Sequence, residues 1–189
     1  MSQAAAKNTQ SSKFSVREIC YTGLFAAVIA VMAQSSIPMP LGVPMTMQTF
    51  AITLAAVVLG SKLSAMASLV YLILGAVGVP VLASFSGGID KFVGPTGGFL
   101  ISFPLMAYII GLGVEHRNAF KGAFPLAVVV GTVVNYIVGV ILFVIVAHST
   151  VAVAISACVL PFIPTAIIKA VLACAIGLNI RKRIPGLKA

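Results

Sequence analysis

The chain has 189 residues, of which 60% are hydrophobic and only 8% are charged. About a quarter of the residues of an average soluble domain are charged, so a water-soluble fold could not hide this much apolar surface. The formal net charge of +9 invites a nucleic-acid interpretation. Membrane topology and attraction to anionic lipid headgroups account for most of that charge, so we expect a lipid bilayer and no nucleic acid as partner.

Six apolar runs follow one another along the chain, separated by polar residues, Gly or Pro. They are Ile19 to Ala33, Met45 to Leu59, Leu63 to Ala83, Phe99 to Val114, Phe124 to Ala147 and Val151 to Leu178. A membrane-spanning helix needs roughly 20 residues, so the second run in particular predicts a short or partly re-entrant helix packed within the protein. We therefore predict an all-α membrane protein, a bundle of six transmembrane helices over residues 19–180.

Polar segments flank this bundle, and the last apolar run is too long for one helix. Residues 1–18 lack the pattern of a signal peptide and predict a poorly ordered cytoplasmic tail. Pro164 suits the first turn of the last helix, so Val151 to Leu160 should form a separate short segment at the surface. Residues 181–189 predict a basic cytoplasmic tail at the C-terminus.

Basic residues predict the orientation, because positive charge stays on the cytoplasmic side of short loops. With both termini in the cytoplasm, the basic residues on that side are Lys7, Lys13, Arg17, Lys62, Arg117, Lys121, Arg181, Lys182, Arg183 and Lys188. The exceptions, Lys91 and Lys169, would lie toward the outside. A lysine in the hydrocarbon region costs roughly 2.5 to 3.5 kcal/mol on insertion scales, so Lys169 predicts a cavity, a partner or a ligand.

Neither catalysis nor metal binding is indicated by the sequence. Glu18, Asp90 and Glu115 are the acidic residues, and neither they nor the two histidines recur at the spacing of a zinc helix or a carboxylate pair. The three cysteines are too scattered for metal ligands and predict small buried hydrophobic residues. No GxxxxGK[ST] loop occurs, so any ATP-driven work would fall to another subunit. We predict a protein that is not an enzyme and holds no cofactor.

A glycine-rich segment, GVPVLASFSGGIDKFVGPTGG, runs from Gly78 to Gly98. Glycines adopt backbone conformations closed to other residues and let the main chain approach a ligand closely. The segment is long for a connection in a compact bundle, which favours a binding loop over a plain connector. We predict an ordered outer loop between helices three and four, with Lys91 in it.

Four stretches of the sequence resemble a known family. VPMTMQTFAITLAAVVLGSKLSAMASLVYLILGAVGVPV, SGG, GPTGGFLISF and PFIPTAIIKAVLA, in this order, are similar to BioY, the biotin-specific substrate-binding (S) component of energy-coupling-factor (ECF) transporters. The resemblance covers roughly residues 26–177. It implies a six-helix, multi-pass protein of a bacterial or archaeal cell membrane that captures biotin. It also implies a transmembrane coupling subunit and two ATPase subunits as partners, with ATP used by the latter.

Other functions remain open at this point. A sister S component for a different vitamin would share the architecture but not the PMTMQT and GPTGG pair. A small stand-alone carrier would be expected to hold a carboxylate within the membrane, and no acidic residue lies inside a confident span. An intramembrane enzyme would need a catalytic pair at membrane depth, and none is visible.

The resemblance implies site residues where the motifs match, and it also exposes a departure. Family members commonly read P-G-D-x-x-K at the start of the last helix, and here Lys169 is retained while Ala166 occupies the aspartate position. Asn135, Thr165, Gln48 or a loop residue could replace that aspartate. The arginine that pairs with the vitamin's carboxylate in some members is absent from GPTGGFL, which leaves Lys169 or Lys91 as the cation.

We expect ligand contacts in a pocket beneath the first loop, Ile37 to Val43, and the glycine-rich loop. The predicted ligand-binding residues are Thr46, Gln48, Ser86, Gly87, Gly88, Lys91, Asn135, Tyr136, Thr165 and Lys169. Alternatives are snorkelling for Lys169, an interhelical hydrogen bond for Gln48 and core packing for Tyr136. The family associates an alanine pattern in the first helix with docking on the coupling subunit, and Ala26 and Ala30 fit it. Packing between helices of the same chain is the alternative for that pair.

Overall fold

The computed structural model of the chain describes residues 15–39, 43–118 and 122–184, most of them helical. The helices are α1 (Val16–Ala33), α2 (Gln48–Leu59), α3 (Ser61–Ala76), α4 (Asp90–Val93), α5 (Gly97–Glu115), α6 (Ala123–Val146), α7 (Val151–Cys158) and α8 (Ile163–Arg183). Several sequence predictions lie outside the described residues. They are most of the N-terminal tail, part of the first loop, the end of the C-terminal tail, and the positions of Lys7, Lys13, Lys121 and Lys188.

A small β-hairpin between α1 and α2 corrects the all-helical prediction. Strand β1 (Ser36–Ile37) pairs antiparallel with β2 (Met45–Thr46), with Ser36 opposite Thr46. The second predicted span therefore does not begin at Met45, because α2 begins at Gln48. Strands of two residues are too short to show the alternation that marks a strand in a sequence.

Four described helical stretches are long and apolar enough to cross a membrane. They are Val16–Ala33, Gly97–Glu115, Ala123–Val146 and Val151–Arg183. Helices α2 and α3 are apolar but shorter, with 12 and 16 residues. At 1.5 Å per residue α2 is about 18 Å long, well below the roughly 30 Å of a hydrocarbon core. The expected short second helix is confirmed, whereas six full crossings stay a prediction.

The third apolar run ends as a helix earlier than predicted, at Ala76 rather than Ala83. Gly78 has φ 104°, a left-handed backbone conformation that favours glycine. The chain then folds back, and Leu82 packs against α3 with only 2% of its surface exposed. Gly75 makes room for it, since a Cβ there would lie 2.6 Å from Leu82 Cδ2. Leu82 is therefore buried although its segment is no longer helical.

The last apolar run divides as the sequence predicts. Helix α7 covers Val151–Cys158, and Thr150 Oγ1 accepts a hydrogen bond from Val153 N (3.4 Å) at its start. A 3₁₀ turn at Leu160–Phe162 follows, and α8 begins with Pro164 in its first turn. A backbone N–H in the first turn of a helix has no acceptor within the helix, so proline, which lacks this N–H, loses no hydrogen bond here.

Helix α2 occupies the centre of the bundle. Every residue of α2 except Thr49 is buried, and the helix packs against α1, α3, α5 and α8. Ala51, Ala55 and Ala56 have no exposed surface, and such small side chains let neighbouring helices approach closely. The core therefore forms around α2, and Gln48 lies at the end of α2 that meets the hairpin.

Successive helices run in alternating directions, so the bundle has two distinct ends. At one end, Gly60 (φ 85°) turns the chain from α2 into α3; we call it the Gly60 end. Glu115 of α5 accepts hydrogen bonds there from Ser61 N (2.7 Å) and Ser61 Oγ (2.9 Å) and so caps α3. Both α1 and the described end of α8 have their outer termini at this end.

Arg181 belongs to the bundle, although the sequence predicted a cytoplasmic tail from residue 181. Helix α8 continues to Arg183, and only 6% of Arg181 is exposed. Its Nη1 donates to the backbone oxygens of Val57 (3.3 Å) and Val58 (3.0 Å). These carbonyls belong to the last turn of α2, where a positive charge is favoured.

The opposite end carries the β-hairpin and residues 77–96; we call it the hairpin end. Gln34, just after α1, ties residues 77–96 to the end of α1. Its Nε2 donates to Val81 O (3.1 Å), and its Oε1 accepts from Phe85 N (2.7 Å). Ser36 Oγ and Ser84 Oγ lie 2.8 Å apart in a second contact. The connection after α3 is thereby fastened beside the hairpin.

The three cysteines are free thiols, and they differ in burial. Cys158 is buried and Cys174 is half-buried, as expected of small hydrophobic residues. Cys20 is exposed on α1, so the prediction of burial is wrong for this residue. It lies on a face of α1 that no other described helix covers.

Candidate functional site

A cavity of about 290 Å³ lies at the hairpin end of the bundle. Residues from the hairpin, from the connection after α3 and from α2, α5, α6 and α8 line it. All the predicted ligand-binding residues lie on its wall except Gly87 and Gly88. The structure thus brings together side chains from distant parts of the sequence.

Gly87 and Gly88 shape the connection beside the cavity. A Cβ on Gly87 would lie 2.9 Å from the backbone of Gly78, so the two segments pass too closely for a side chain. Gly88 has φ 109°, and its N–H donates to Gly75 O (2.7 Å). These contacts hold Ser86, whose Oγ donates to Ala83 O (2.7 Å), at the cavity wall.

The ammonium group of Lys169 points into the protein. Lys169 is the seventh residue of α8, and its Nζ donates to Thr46 O of β2 at 2.7 Å. No carboxylate contacts it within the described part of the chain. Two of its three N–H groups are therefore available to a molecule in the cavity.

Thr46 belongs to a chain of hydrogen bonds that runs into the core. Its Oγ1 donates to Gln48 Oε1 (2.8 Å), and Gln48 Nε2 donates to Tyr71 Oη of α3. Gln48 thus makes the interhelical hydrogen bond that was the alternative to ligand contact, and it also lines the cavity. Tyr71 has no exposed surface, and sequence reasoning missed it.

Asn135 and Tyr136 of α6 contact α5 through its first turns. Asn135 Nδ2 donates to Phe99 O (3.1 Å) and Ser102 Oγ (2.8 Å). The rings of Tyr136 and Phe99 pack edge to face, with centroids 6.4 Å apart and planes at 84°. Phe99 and Ser102 come from the GPTGGFLISF stretch, which was the signal that could have identified them.

The remaining polar residues lie toward the rim. Thr165 Oγ1 donates to Phe162 O (2.9 Å) within the start of α8. Lys91 Nζ lies 3.2 Å from Asp90 Oδ2, and both side chains are exposed. Exposed ion pairs contribute about 0 to 1 kcal/mol, so Lys91 can exchange this partner for another anion at little cost.

Apolar and aromatic side chains form most of the cavity wall, including Leu82, Leu100, Phe103 and Phe162. A few polar groups on an apolar wall are typical of a small-molecule site. Lysines supply the only formal charges among its described lining residues. No cluster of three potential metal ligands occurs in the described ranges. The chamber therefore suits a partly apolar small molecule that carries an acidic group or hydrogen-bond acceptors.

Some of the small residues of α1 are buried in the core and others are exposed. Ala26 is 4% exposed and belongs to the core, and Ala30 packs half-buried against the same core. The alternative of packing within the chain therefore describes Ala26. Gly23 and Ala27 are exposed, and no atom lies within 4 Å of a Cβ built on Gly23. The exposed small residues of α1 are thus Gly23 and Ala27 and not the predicted pair.

Comparison with known proteins gives a consistent answer. The model of the BioY family matches residues 6–186. The chain is 41% identical to the biotin transporter BioY of Thermotoga maritima, over 88% of this chain and 97% of that protein. It is 34% identical to the biotin transporter BioY of Rhizobium etli, over 93% and 98% of the two chains.

A solved structure is also similar. The crystal structure of the S component for biotin from an ECF-type ABC transporter superposes with a TM-score of 0.80. The match has 26% sequence identity and covers 89% of this chain and 93% of the other.

Proposed function

The chain belongs to the BioY family, and from this membership we propose that it takes up biotin across the cell membrane as the S component of an ECF transporter. It is a multi-pass membrane protein whose curated relatives are transporters. The observation that carries the proposal is the lysine-bearing cavity, which a chain of this family builds from the motifs that it shares with biotin transporters.

In this proposal the hairpin end faces outward and both termini lie in the cytoplasm. The described basic residues at the Gly60 end support it: Arg17, Lys62, Arg117, Arg181, Lys182 and Arg183. Positive charge is retained on the cytoplasmic side, whereas Lys91 and Lys169 lie at the other end. Helices α2 and α3 make the two remaining crossings of a six-helix bundle, and the short α2 is surrounded by its neighbours, since all its residues except Thr49 are buried. Residues 77–96 form the ordered outer loop.

The apolar and the polar residues of the cavity wall would contact different parts of biotin in this proposal. The thiophane ring and valeryl chain pack against the apolar wall, where burial contributes about 25 cal/mol per Å². Polar groups at the ends of the molecule meet Thr46, Gln48, Ser86, Lys91, Asn135, Tyr136, Thr165 and Lys169. Gly87 and Gly88 act indirectly, by shaping the loop beside the ligand.

Energy comes from partner subunits in this proposal. A transmembrane coupling subunit contacts α1, and two ATPase subunits hydrolyse ATP. The exposed surface of Gly23 and Ala27, next to the half-buried Ala30, supports a close helix contact there. Ala26 supports this contact indirectly, because it packs in the core of this chain and so holds α1 in place.

Biotin titration of the purified protein with Lys169→Ala tests the proposal. Loss of a charged hydrogen bond, worth about 1.5 to 3 kcal/mol, should weaken binding about tenfold or more. Isothermal calorimetry measures the affinity, and a thermal melt in the same detergent confirms that the variant is folded. Lys62→Ala, an exposed lysine at the Gly60 end, is the matched control and should bind like the unmodified chain.

Competing vitamins complete this experiment. Biotin should displace each of them from the unmodified protein. Tighter binding of another vitamin would identify an S component of different specificity. If Lys169→Ala bound biotin with unchanged affinity, Lys169 would have no part in the site.

A further inference from the structure

The side-chain oxygen of Asn135 is the feature of the cavity with no assigned partner. Asn135 lies on the cavity wall with only 2% of its surface exposed. Both hydrogen bonds of its amide nitrogen go to α5, to Phe99 O and Ser102 Oγ. Among the residues that the structure describes, no donor contacts Oδ1.

The neighbours of this amide determine its orientation. The backbone oxygen of Phe99 can only accept, so the amide atom that faces it must be the nitrogen. Two acceptors occupy the two amide protons, and Oδ1 is left as an acceptor. Although Asn135 as a residue is nearly fully buried, Oδ1 is not one of the buried side-chain atoms without a partner, so it keeps some accessible surface at the cavity wall, where a donor on a bound molecule can reach it.

The other residues that could replace the family aspartate are engaged or less buried. Gln48 uses both arms of its amide, because Oε1 accepts from Thr46 Oγ1 and Nε2 donates to Tyr71. Thr165 is half-buried and donates to Phe162 O. Asn135 alone among the three combines near-complete burial with an acceptor that has no partner in the described chain.

Asn135 and Lys169 both line the main chamber. The ammonium of Lys169 can only donate, whereas Oδ1 of Asn135 can only accept. A cyclic urea presents a carbonyl acceptor next to N–H donors on one edge. The chamber wall therefore offers such an edge both a donor, on Lys169, and an acceptor, on Asn135.

On the basis of the biotin function proposed above, we propose that Asn135 Oδ1 accepts a hydrogen bond from a ureido N–H of biotin. Asn135 then fills the role that an aspartate would fill at Ala166 in other family members. The acceptor has moved from α8 to α6, and it has become neutral. The site thus selects for a ligand that donates an N–H at its inner end.

Asn135→Leu removes the acceptor while keeping a side chain of similar size. Ser102 Oγ also donates to Phe99 O (3.0 Å), so that carbonyl stays hydrogen-bonded in the variant. Biotin and an analogue methylated on the ureido nitrogens are titrated into both proteins by calorimetry. We expect Asn135→Leu to bind biotin about 10- to 100-fold more weakly and to lose most of its preference over the methylated analogue.

Two further variants separate this role from a structural one. Ala166→Asp in the Asn135→Leu background should recover affinity, because it returns an acceptor to the family position. Val130→Ala, on the exposed face of α6, should bind like the unmodified protein.

Unchanged biotin affinity in Asn135→Leu would overturn the inference, as would an equal loss for biotin and its methylated analogue. A loss that Ala166→Asp does not recover would overturn it too. None of these results touches the proposed function, which fails only if the unmodified protein does not bind biotin.

Discussion

The position of the Lys169 ammonium depends on residues that lie behind the cavity wall. Thr46 O receives its hydrogen bond, Gln48 holds the side chain of Thr46, and Tyr71 holds Gln48. Helices α8, α2 and α3 and the β-hairpin each contribute one member of this chain. Connected hydrogen bonds in a buried site fix one geometry, because each member has few alternative partners.

Tyr71→Phe should therefore weaken biotin binding, although Tyr71 does not line the cavity. The change leaves Gln48 Nε2 without its acceptor, at a cost of about 1 to 3 kcal/mol, and frees Gln48 and Thr46 to move. We expect biotin affinity to fall about threefold to tenfold by calorimetry. Tyr108→Phe, at a ring that is 40% exposed, is the control. Equal affinity in both variants would show that Tyr71 has only a packing role.

Polar side chains of the site were predictable from sequence to different degrees. Lys169 and Asn135 stand out because charged and amide groups are rare within apolar helices. Tyr71 does not, because its apolar ring suits ordinary core packing, and Ser102 does not, because serine hydroxyl groups in such helices commonly bond to their own backbone. Ser68, for example, donates to Ser64 O (2.9 Å) on α3. Only the fold shows which hydroxyl groups have partners on another helix.

Glycines bring α5 close to the helices on both sides. A Cβ on Gly111 would meet the backbone of Gly60 and Ser61 at the start of α3. A Cβ on Gly113 would lie 3.0 Å from Ala123 O at the start of α6. Near the cavity wall, a Cβ on Gly139 of α6 would clash with the ring of Phe99, so this glycine makes room for Phe99.

Gly111→Ala should lower the stability of the protein. The added methyl group would contact backbone atoms that cannot rotate away, and overpacking of this kind costs about 1 to 3 kcal/mol. The melting temperature in detergent should fall. Gly23→Ala is the matched control, because its Cβ has open space and alanine favours a helix by up to about 1 kcal/mol over glycine. Melting temperatures that fall equally would contradict this account.

Helix boundaries followed from the sequence where a proline or a polar residue marks them. Pro164 located the start of α8, and the structure confirms it. The end of α3 and the β-hairpin did not follow, because hydropathy reports burial and not backbone conformation. Leu82 is buried whether or not its segment is helical.

The molecule as a whole has a mostly apolar cavity with two lysines at the hairpin end, and its other described basic residues lie at the Gly60 end. The exposed small-residue surface of α1 runs between them. Hydropathy, charge and family motifs predicted the membrane setting and several polar residues of the cavity wall. They could not predict which alanines of α1 face outward, since alanine is common on buried and exposed faces alike.

Ala27→Leu tests the proposed contact with the coupling subunit. A bulky side chain on the exposed face should prevent close helix approach, so the coupling subunit should co-purify at a fraction of its normal yield. Biotin binding by the isolated chain should be unchanged. Ala175→Leu, an exposed alanine of α8, is the control. Equal recovery of the coupling subunit with both variants would place the contact elsewhere.

The hydrogen bond from Lys169 to Thr46 O links the first quarter of the chain to its last helix. During synthesis on the ribosome, the hairpin and α2 emerge long before α8 exists. The chamber therefore has no closed wall until translation is nearly finished. A nascent chain cannot hold the vitamin early, and ligand capture begins only when the final helix has joined the others in the bilayer.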